Sequence, residues 1–261
     1  MDLSDFQSVR SAAKLLEDKP INYIFLNAGI VYHVGNSTWL THGGVDYLMA
    51  SNFFGHFLLS QLLMPPLIKR RSLCRVIITS SIAHWFGVPD QLFRLNHSLH
   101  AAGSDAWQEI YGSSKLANLL HAYELQRRLR ADSAAVGVGV IPVTPGLVIT
   151  DILNAGRDPG APETHYWCSA ANPLAVPAAR GAQTSLLAAL APEPPPPLCF
   201  CAPYWFPPRL RPWLRPRVAL LLEGLQRLTW RPRFATTSPA SRDPALARRL
   251  WEHAERVVGL A

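Results

Sequence analysis

A tyrosine and a lysine four positions apart are the residues of this sequence best suited to proton transfer. Tyr111 and Lys115 stand in the stretch YGSSK, and on a helix two residues at this spacing lie on one face, one turn apart. A free phenol, with a pKa of about 10, exchanges protons poorly near neutral pH, whereas a cation fixed beside it favours the phenolate and lowers that pKa. Such a phenol suits a reaction in which an oxygen gains or loses a proton while its carbon gains or loses hydride. The pair alone is weak evidence, because the same spacing occurs by chance on many helices.

A serine could orient a substrate beside this pair. Ser80-Ser81 follows the apolar run 75–79 (RVIIT), which is typical of a buried strand. Open α/β sheets bind ligands at the carboxyl ends of their strands, where a hydroxyl can hold a carbonyl group next to a general acid. The alternative is a serine pair that only forms a turn. Asn27-Ala28-Gly29 and Pro145-Gly146 follow the other predicted strands, so small or polar residues gather at one edge of the sheet.

Short apolar runs alternate with long helical patterns along the chain. Strands are predicted at 21–26, 75–79 and 136–143, and helices at 4–19 (opened by a capping box at Ser4 and closed by Pro20), 44–68 (ending near Pro65-Pro66), 108–130, 177–191 and 243–258. This order predicts an α/β fold with a doubly wound parallel sheet. From 191 to 216 the density of proline predicts extended or irregular backbone rather than a helix or a central strand.

Composition excludes several classes of protein. Of 261 residues, 49% are hydrophobic and 16% are charged, which indicates a globular core. The net charge of +7 owes much to arginines between 209 and 233, so it describes one segment, and nucleic-acid binding is not expected. The four cysteines and the histidines show no zinc-ligand spacing, so no metal is expected. With no signal segment or spanning run, we expect an intracellular protein, either cytoplasmic or peripheral to a membrane such as the endoplasmic reticulum.

The combined motifs resemble the short-chain dehydrogenase/reductase family, and most of all its retinol dehydrogenase and WW domain-containing oxidoreductase branch. The similar segments are LNAG at 26–29, SNFFGHFLL at 51–59, RVIITSSIAH at 75–84, YGSSKLANLL at 111–120, PGLVITDI at 145–152, GAQTSLLAALAPE at 181–193 and ARRLWEHAERVVGL at 247–260. They cover most of the chain except about 194–235. The resemblance implies one Rossmann-type domain over 1–261, a Pro/Arg-rich insertion at about 194–235, and NADP or NAD as cofactor.

The resemblance also implies a role for each matching residue. Tyr111 would be the catalytic acid/base, Lys115 would hold the nicotinamide ribose hydroxyls and tune the phenol, and Ser81 would orient the substrate oxygen. Asn52 would support a water-mediated proton relay, with a helix cap or a buried amide as the alternative. The expected cofactor-binding residues are Asp2 beside adenine, Asn27, Ala28 and Gly29 beside the adenosine ribose, and Pro145, Gly146 and Thr150 beside the nicotinamide and pyrophosphate.

One part of the family pattern does not occur in this sequence. Family members begin with a strand and a Thr-Gly-x-x-x-Gly-x-Gly turn, whose backbone N–H groups bind the pyrophosphate. The resemblance therefore predicts that about two β–α units, on the order of 30 residues each, are missing from the N-terminus. The strand at 21–26 would then have an unpaired edge. The same region normally sets the preference for NAD or NADP.

Two functions fit these observations. The first is an NAD(P)-dependent oxidoreductase that interconverts an alcohol and a carbonyl on a hydrophobic small molecule, such as a retinoid or a steroid. The alternative is a catalytically inactive truncated isoform that acts as a dimerising or regulatory partner. Helices 44–68 and 108–130 resemble the family's dimerisation helices, so a homodimer through them is predicted. The segment 218–230 could form an amphipathic helix on an anionic membrane, with a substrate lid or a loop as the favoured alternative.

Overall fold

The computed structural model contains a five-stranded sheet whose strands follow one another in chain order. It describes residues 1–31, 40–95, 106–153, 175–191, 200–202, 233–235 and 237–261. The strands are β1 (Tyr23–Leu26), β2 (Cys74–Thr79), β3 (Val138–Val143), β4 (Phe200–Ala202) and β5 (Arg233–Ala235). Strands β1 to β4 pair in parallel, and β5 is antiparallel to β4. The predicted parallel sheet is confirmed, with an antiparallel strand added at one edge.

Helices cover both faces of this sheet. They are α1 (Phe6–Leu16), α2 (Tyr47–Met49), α3 (Gly55–Lys69), α4 (Ala106–Ala131), α5 (Ala178–Leu190) and α6 (Pro244–Val257), and a π-helical turn (Ala50–Phe54) joins α2 to α3. Val76 and Ile78 of β2 point into the larger core, while Ile77 between them packs with Ala188 and Ala189 of α5. Because successive strand residues face opposite sides, this division shows that the α/β fold is doubly wound, as predicted.

The central helix α4 is buried along most of its length. Every residue from 112 to 126 is buried. The predicted inner face is confirmed, since Leu116, Leu119, Leu120, Tyr123 and Leu129 are all buried. Helix α3 is also largely buried, so little surface remains on either helix for the predicted homodimer through 44–68 and 108–130, and that dimer stays a prediction.

Local chemistry shifts several predicted helix ends. Helix α1 is capped by Asp5, whose carboxylate accepts from the Gln7 N–H, so the prediction of Ser4 as the cap was wrong by one residue. The long helix begins at Tyr47, after the Asp46 cap, and continues through Pro65-Pro66 to Lys69, beyond its predicted end at 68. Asp243 caps α6 as predicted, accepting from two backbone N–H groups.

Two predictions about strands were wrong. Strand β1 is not fully buried, because Tyr23 and Phe25 are 46% and 43% exposed while the alternating Ile24 and Leu26 are buried. Within the described residues, this edge strand is therefore covered on one face only. The proline-rich range also contains β4, which lies between β3 and β5. Its three residues, Phe-Cys-Ala, include no proline, so the backbone N–H groups needed for pairing are present.

Some predictions concern residues outside the described part of the chain. The amphipathic segment 218–230 and most of the insertion at 194–235 lie there. Within the described residues, no helix combines the length and the apolar content needed to cross a bilayer. Among the same residues, no group of three or more His, Cys, Asp or Glu side chains is placed to hold a metal ion.

Candidate active site

Helix α4 carries Tyr111 and Lys115 next to each other, near the carboxyl ends of β1 and β2. The Lys115 Nζ atom lies 5.4 Å from the centroid of the Tyr111 ring. Tyr111 is half-buried, and Lys115 is only 2% exposed. Burial lowers the pKa of the Lys115 ammonium from 10.5 to about 8, because a charged group loses hydration there. The two ion pairs within the described residues join Glu124 to Arg127 and Arg128, so neither neutralises this lysine.

The loop that follows β1 also approaches Lys115. A Cβ atom added to Gly29 would lie 3.2 Å from the Lys115 Nζ and 3.1 Å from the Asn52 Oδ1. The backbone of Gly29 therefore approaches both side chains within contact distance. Residues from three separate elements, the β1 loop, the π-helical turn and α4, meet at this point.

Asn52 joins the β1 loop to helix α4. Its Oδ1 accepts from the Ile30 N–H at 2.7 Å, and its Nδ2 donates to the Ile30 carbonyl at 2.8 Å and to the Ser114 Oγ at 3.1 Å. Asn52 is fully buried in the π-helical turn, a distortion that is frequent at functional sites. The observed contacts are those of the buried-amide alternative, and the relay role stays a prediction.

The Ser81 turn packs tightly against the first part of α4. Ser81 caps the 3₁₀-helix Ile82–Phe86, and its Oγ accepts from the Ala83 N–H at 3.2 Å. The Ser80 Oγ donates to the Lys115 carbonyl at 2.8 Å. A Cβ atom on Gly112 would lie 2.6 Å from the Ala83 carbonyl oxygen, so only glycine permits this approach. The turn that contains Ser81 is thus packed against the helix that carries Tyr111 and Lys115.

The remaining predicted cofactor residues lie at or near the same edge. Asn27 and Ala28 are exposed after β1, and the Asn27 Oδ1 accepts from the Thr79 Oγ1 at 3.0 Å. After β3, Gly146 adopts a positive φ of 79° that favours glycine. Pro145 is half-buried and Thr150 is exposed.

Asp2 is occupied by local contacts at the start of α1. Its Oδ1 accepts from the Ser4 N–H at 2.8 Å and from the Ser4 hydroxyl at 2.7 Å. The bond from the Ser4 hydroxyl, followed by that from the Ser4 backbone, lowers the pKa of the Asp2 carboxyl. The carboxylate is exposed, and its predicted contact with adenine remains a prediction.

Sequence reasoning missed a buried polar seam between α3 and α4. It contains His56, Ser60 and His121, and the Ser60 Oγ lies 3.1 Å from the His121 Nε2. Burial, followed by the charge of Lys115, lowers the pKa of His56 to about 4, and burial lowers that of His121 to about 3. The sequence does contain an indication of this seam, because three polar residues recur at four-residue spacing within an otherwise apolar helix: Asn52, His56 and Ser60.

Comparison with known proteins gives one consistent result. A family model described as short chain dehydrogenase matches residues 1–92. Retinol dehydrogenase 12 of Mus musculus is 35% identical over 199 residues, which cover 73% of this chain and 55% of that protein. The chain thus spans about half of that relative's length.

Solved structures share the fold. An uncharacterized protein from Mycobacterium paratuberculosis has a TM-score of 0.65 and 25% identity, covering 99% of this chain and 74% of that one. A short-chain dehydrogenase from Sphingobium yanoikuyae in complex with NADPH has a TM-score of 0.50 and 18% identity, covering 91% of this chain and 76% of the other. The resemblance to this family and to retinol dehydrogenases is confirmed.

Proposed function

We propose that the chain is a member of the short-chain dehydrogenase/reductase family and that it is an NAD(P)-dependent oxidoreductase that interconverts an alcohol and a carbonyl. The observation that carries this proposal is the buried Lys115 ammonium, held beside the Tyr111 ring and against Gly29. Burying an unpaired cation lowers the stability of a fold, so such a group is a candidate functional residue. An ammonium can donate hydrogen bonds and can lower the pKa of a neighbouring phenol. Both uses are needed in a site that moves a proton during hydride transfer.

The residues at this edge fit a nicotinamide dinucleotide. The Lys115 ammonium offers up to three donors, which suits the vicinal hydroxyls of a ribose. Asn27, Ala28 and Gly29, with Pro145, Gly146 and Thr150, would border the rest of the cofactor, and Asp2 would contact the adenine. When bound, the cofactor supplies or accepts the hydride. The relative solved with NADPH supports this cofactor class.

The chain's own residues would handle the oxygen of the substrate. Tyr111 gives a proton to the carbonyl oxygen during reduction and takes it back during oxidation, while the positive charge of Lys115 favours the phenolate form. Ser81 donates a hydrogen bond to the same oxygen and holds it beside the phenol. The mouse retinol dehydrogenase relative supports a hydrophobic substrate such as a retinoid. Peripheral contact with a membrane that contains such substrates is part of the same proposal.

Cofactor binding and turnover test the proposal separately. The purified chain is titrated with NADPH and with NADH while energy transfer from tryptophan is followed, and turnover of all-trans-retinal is then measured with the better cofactor. We expect binding below the millimolar range with one of the two. Absence of binding would instead favour the non-catalytic partner, and binding without turnover would remove the assignment of Tyr111 as acid/base for this substrate.

The substitution Tyr111→Phe removes only the phenolic oxygen. We expect it to reduce turnover by about 100-fold or more, because general acid–base catalysis contributes roughly that much, while cofactor affinity changes little. Tyr123→Phe is the matched control, since Tyr123 lies on the same helix and its hydroxyl contacts Thr237 at 3.3 Å, on the buried inner face. Turnover by Tyr111→Phe at the level of the control would contradict the mechanism.

A further inference from the structure

A histidine next to the Ser81 turn has both ring nitrogens in hydrogen bonds. His84 is 1% exposed and lies in the 3₁₀-helix Ile82–Phe86. Its Nδ1 is 2.7 Å from the Ser81 carbonyl oxygen, and its Nε2 is 3.2 Å from the backbone nitrogen of Ser238, which is 154 positions away along the chain. The ring therefore connects the end of β2 with the segment that precedes α6.

These partners fix the protonation of the ring. A carbonyl oxygen can only accept a hydrogen bond, so Nδ1 must carry a proton and donate it to Ser81. A backbone N–H can only donate, so Nε2 must be unprotonated and accept from Ser238. The ring is consequently neutral and in the Nδ1–H form. Burial lowers the pKa of His84 to about 4, which agrees with a neutral ring at physiological pH.

The Ser81 peptide is held on two sides by this arrangement. Its carbonyl oxygen accepts from the His84 ring and also from the His84 backbone N–H at 3.1 Å. Its hydroxyl oxygen accepts from the Ala83 N–H at 3.2 Å, and this bond sets the orientation of the side chain. One of the two bonds to the carbonyl comes from the backbone and the other from the ring, so the ring adds a constraint that the backbone of the 3₁₀-helix alone does not supply.

The far side of the ring contacts a segment with its own fixed geometry. The Ser238 carbonyl accepts from the Ser241 hydroxyl at 2.7 Å, and the Ser238 hydroxyl accepts from the Ser241 N–H at 3.4 Å. The adjacent Thr237 contacts the Tyr123 hydroxyl of α4. The ring thus contacts a turn that is held by hydrogen bonds of its own.

We propose that His84 is a positioning residue for Ser81, which it holds through its Nδ1–H group while Ser238 fixes the ring from the other side. The inference rests on the proposed function, in which the Ser81 hydroxyl orients the substrate oxygen. His84 touches neither that oxygen nor the cofactor in this scheme. It acts by holding the backbone from which the hydroxyl projects.

Two amide substitutions separate the two bonds of the ring. In His84→Asn the amide nitrogen occupies the region of Nδ1 and can donate to the Ser81 carbonyl, but the side chain is too short to reach Ser238. In His84→Gln the longer side chain reaches the region of Nε2 and its oxygen can accept from Ser238, while the donor to Ser81 is lost. We expect His84→Asn to retain most of the turnover of all-trans-retinal with NADPH, and His84→Gln to lower kcat about tenfold or more without weakening NADPH binding. The opposite order would overturn the proposal, because the Ser238 bond would then be the important one.

A second measurement does not depend on catalysis. Hydrogen exchange of the Ala83 amide, read by NMR, reports whether the Ser81 hydroxyl oxygen is still in place. We expect protection to persist in His84→Asn and to fall in His84→Gln, and equal protection in both would contradict the role.

If the unsubstituted chain shows no turnover, the proposed function fails while this comparison still decides the role of His84. If neither variant folds, nitrogen NMR of the unsubstituted chain decides, since an Nε2–H tautomer would be incompatible with the proposed bonds.

Discussion

The buried Lys115 ammonium, which assists proton transfer in the proposed function, lowers the stability of the folded chain. Its ammonium is buried without a carboxylate ion pair in the described part of the chain, and its pKa is lowered to about 8. Because the folded-state pKa lies below the usual value of 10.5, the unfolded chain binds more protons between these two values. The free energy of unfolding therefore rises with pH from about 8 to 10.5. Functional sites commonly retain such unfavourable groups.

Removing the charge should separate stability from activity. We expect Lys115→Met to raise the free energy of unfolding at pH 7 by roughly 1–3 kcal/mol, since a lysine burial cost is relieved, and to abolish turnover. The gain should shrink as the pH approaches 10.5, where the native lysine is neutral as well. Urea denaturation at several pH values measures this difference. Lys14→Met, at an exposed position, is the control. A loss of stability in Lys115→Met at pH 7 would show that hydrogen bonds compensate the buried charge.

The absence of a side chain at Gly29 lets the β1 loop lie close to Asn52 and Lys115. We expect Gly29→Ala to weaken NADPH binding about tenfold, because the new methyl group would lie 3.1 Å from the Asn52 Oδ1 and 3.2 Å from the Lys115 Nζ and displace one of them. Fluorescence titration measures the affinity. Gly43→Ala is the matched loop control, since its Cβ would meet only the Thr41 Oγ1 at 3.8 Å. Equal affinities in the two variants would mean that the Asn52 and Lys115 side chains can move away from a methyl group at Gly29 without weakening NADPH binding.

At the level of elements, the contact between α4 and the 3₁₀-helix Ile82–Phe86 sets the geometry of the site. Gly87 and Gly112 face each other across this contact, and a Cβ on Gly87 would lie 2.8 Å from the Gly112 carbonyl oxygen. Ser81 precedes one element and Tyr111 lies on the other, directly before Gly112. The absence of two side chains therefore lets the turn that contains Ser81 lie against the helix that carries Tyr111.

A methyl group at this contact should be destabilising even though alanine favours helices. Glycine is disfavoured in a helix by about 1 kcal/mol relative to alanine, so Gly112→Ala would stabilise α4 if nothing opposed it. Its Cβ would lie 2.6 Å from the Ala83 carbonyl oxygen, which belongs to the backbone and cannot rotate away. We expect a net loss of roughly 1–3 kcal/mol of unfolding free energy, measured by urea denaturation.

The strand residue Gly139 provides the control for this substitution. A Cβ added there meets no atom within 4 Å, so Gly139→Ala should leave stability unchanged or slightly increase it. If Gly112→Ala proved as stable as Gly139→Ala, the two elements would have to be able to move apart. The serine turn would then be less firmly fixed against α4 than the hydrogen bonds indicate.

Across the whole molecule, the buried titratable groups determine how stability responds to acid. Burial lowers the pKa values of His56 and His84 from 6.5 to about 4 and that of His121 to about 3. Each of these histidines is stabilising when neutral, and this contribution is lost as the pH falls from 6.5 through the folded-state value. Asp46 acts in the opposite direction, since burial raises its pKa from 3.8 to about 6. Its contribution is present below 3.8 and is lost as the pH rises through about 6.

We expect the free energy of unfolding to fall as the pH is lowered from 6.5 towards 4. His56, His84 and His121 bind protons on unfolding, as does the partly buried His253, whereas Asp46 releases one, so unfolding takes up protons on balance in this range. Denaturation curves at pH 7, 6 and 5 give the slope. Asp46→Asn preserves a good N-cap oxygen and removes the opposing proton, so its stability should fall more steeply with acid. A flat profile in both proteins would contradict the burial of the histidines.

Much of the fold followed from patterns that need only local information. Apolar runs and helical spacing predicted β1 to β3 and the long helices, because periodic burial is recorded directly in residue type. The caps were less certain, as the shift from Ser4 to Asp5 shows, since neighbouring polar side chains compete for the same N–H groups. The strand β4 was missed because its pairing with β3 and β5 joins segments far apart in the chain.

The candidate site, like the fold, was predictable from the sequence in part only. The sequence by itself determined the family resemblance, the face shared by Tyr111 and Lys115, and the strand ends that carry Ser81 and Gly29. Only the tertiary structure decided that Asn52 bridges a loop to α4, and that His84 joins Ser81 to Ser238. The physical reason is that residue spacing fixes which side chains share an element, whereas burial and hydrogen-bond partners depend on how separate elements pack together.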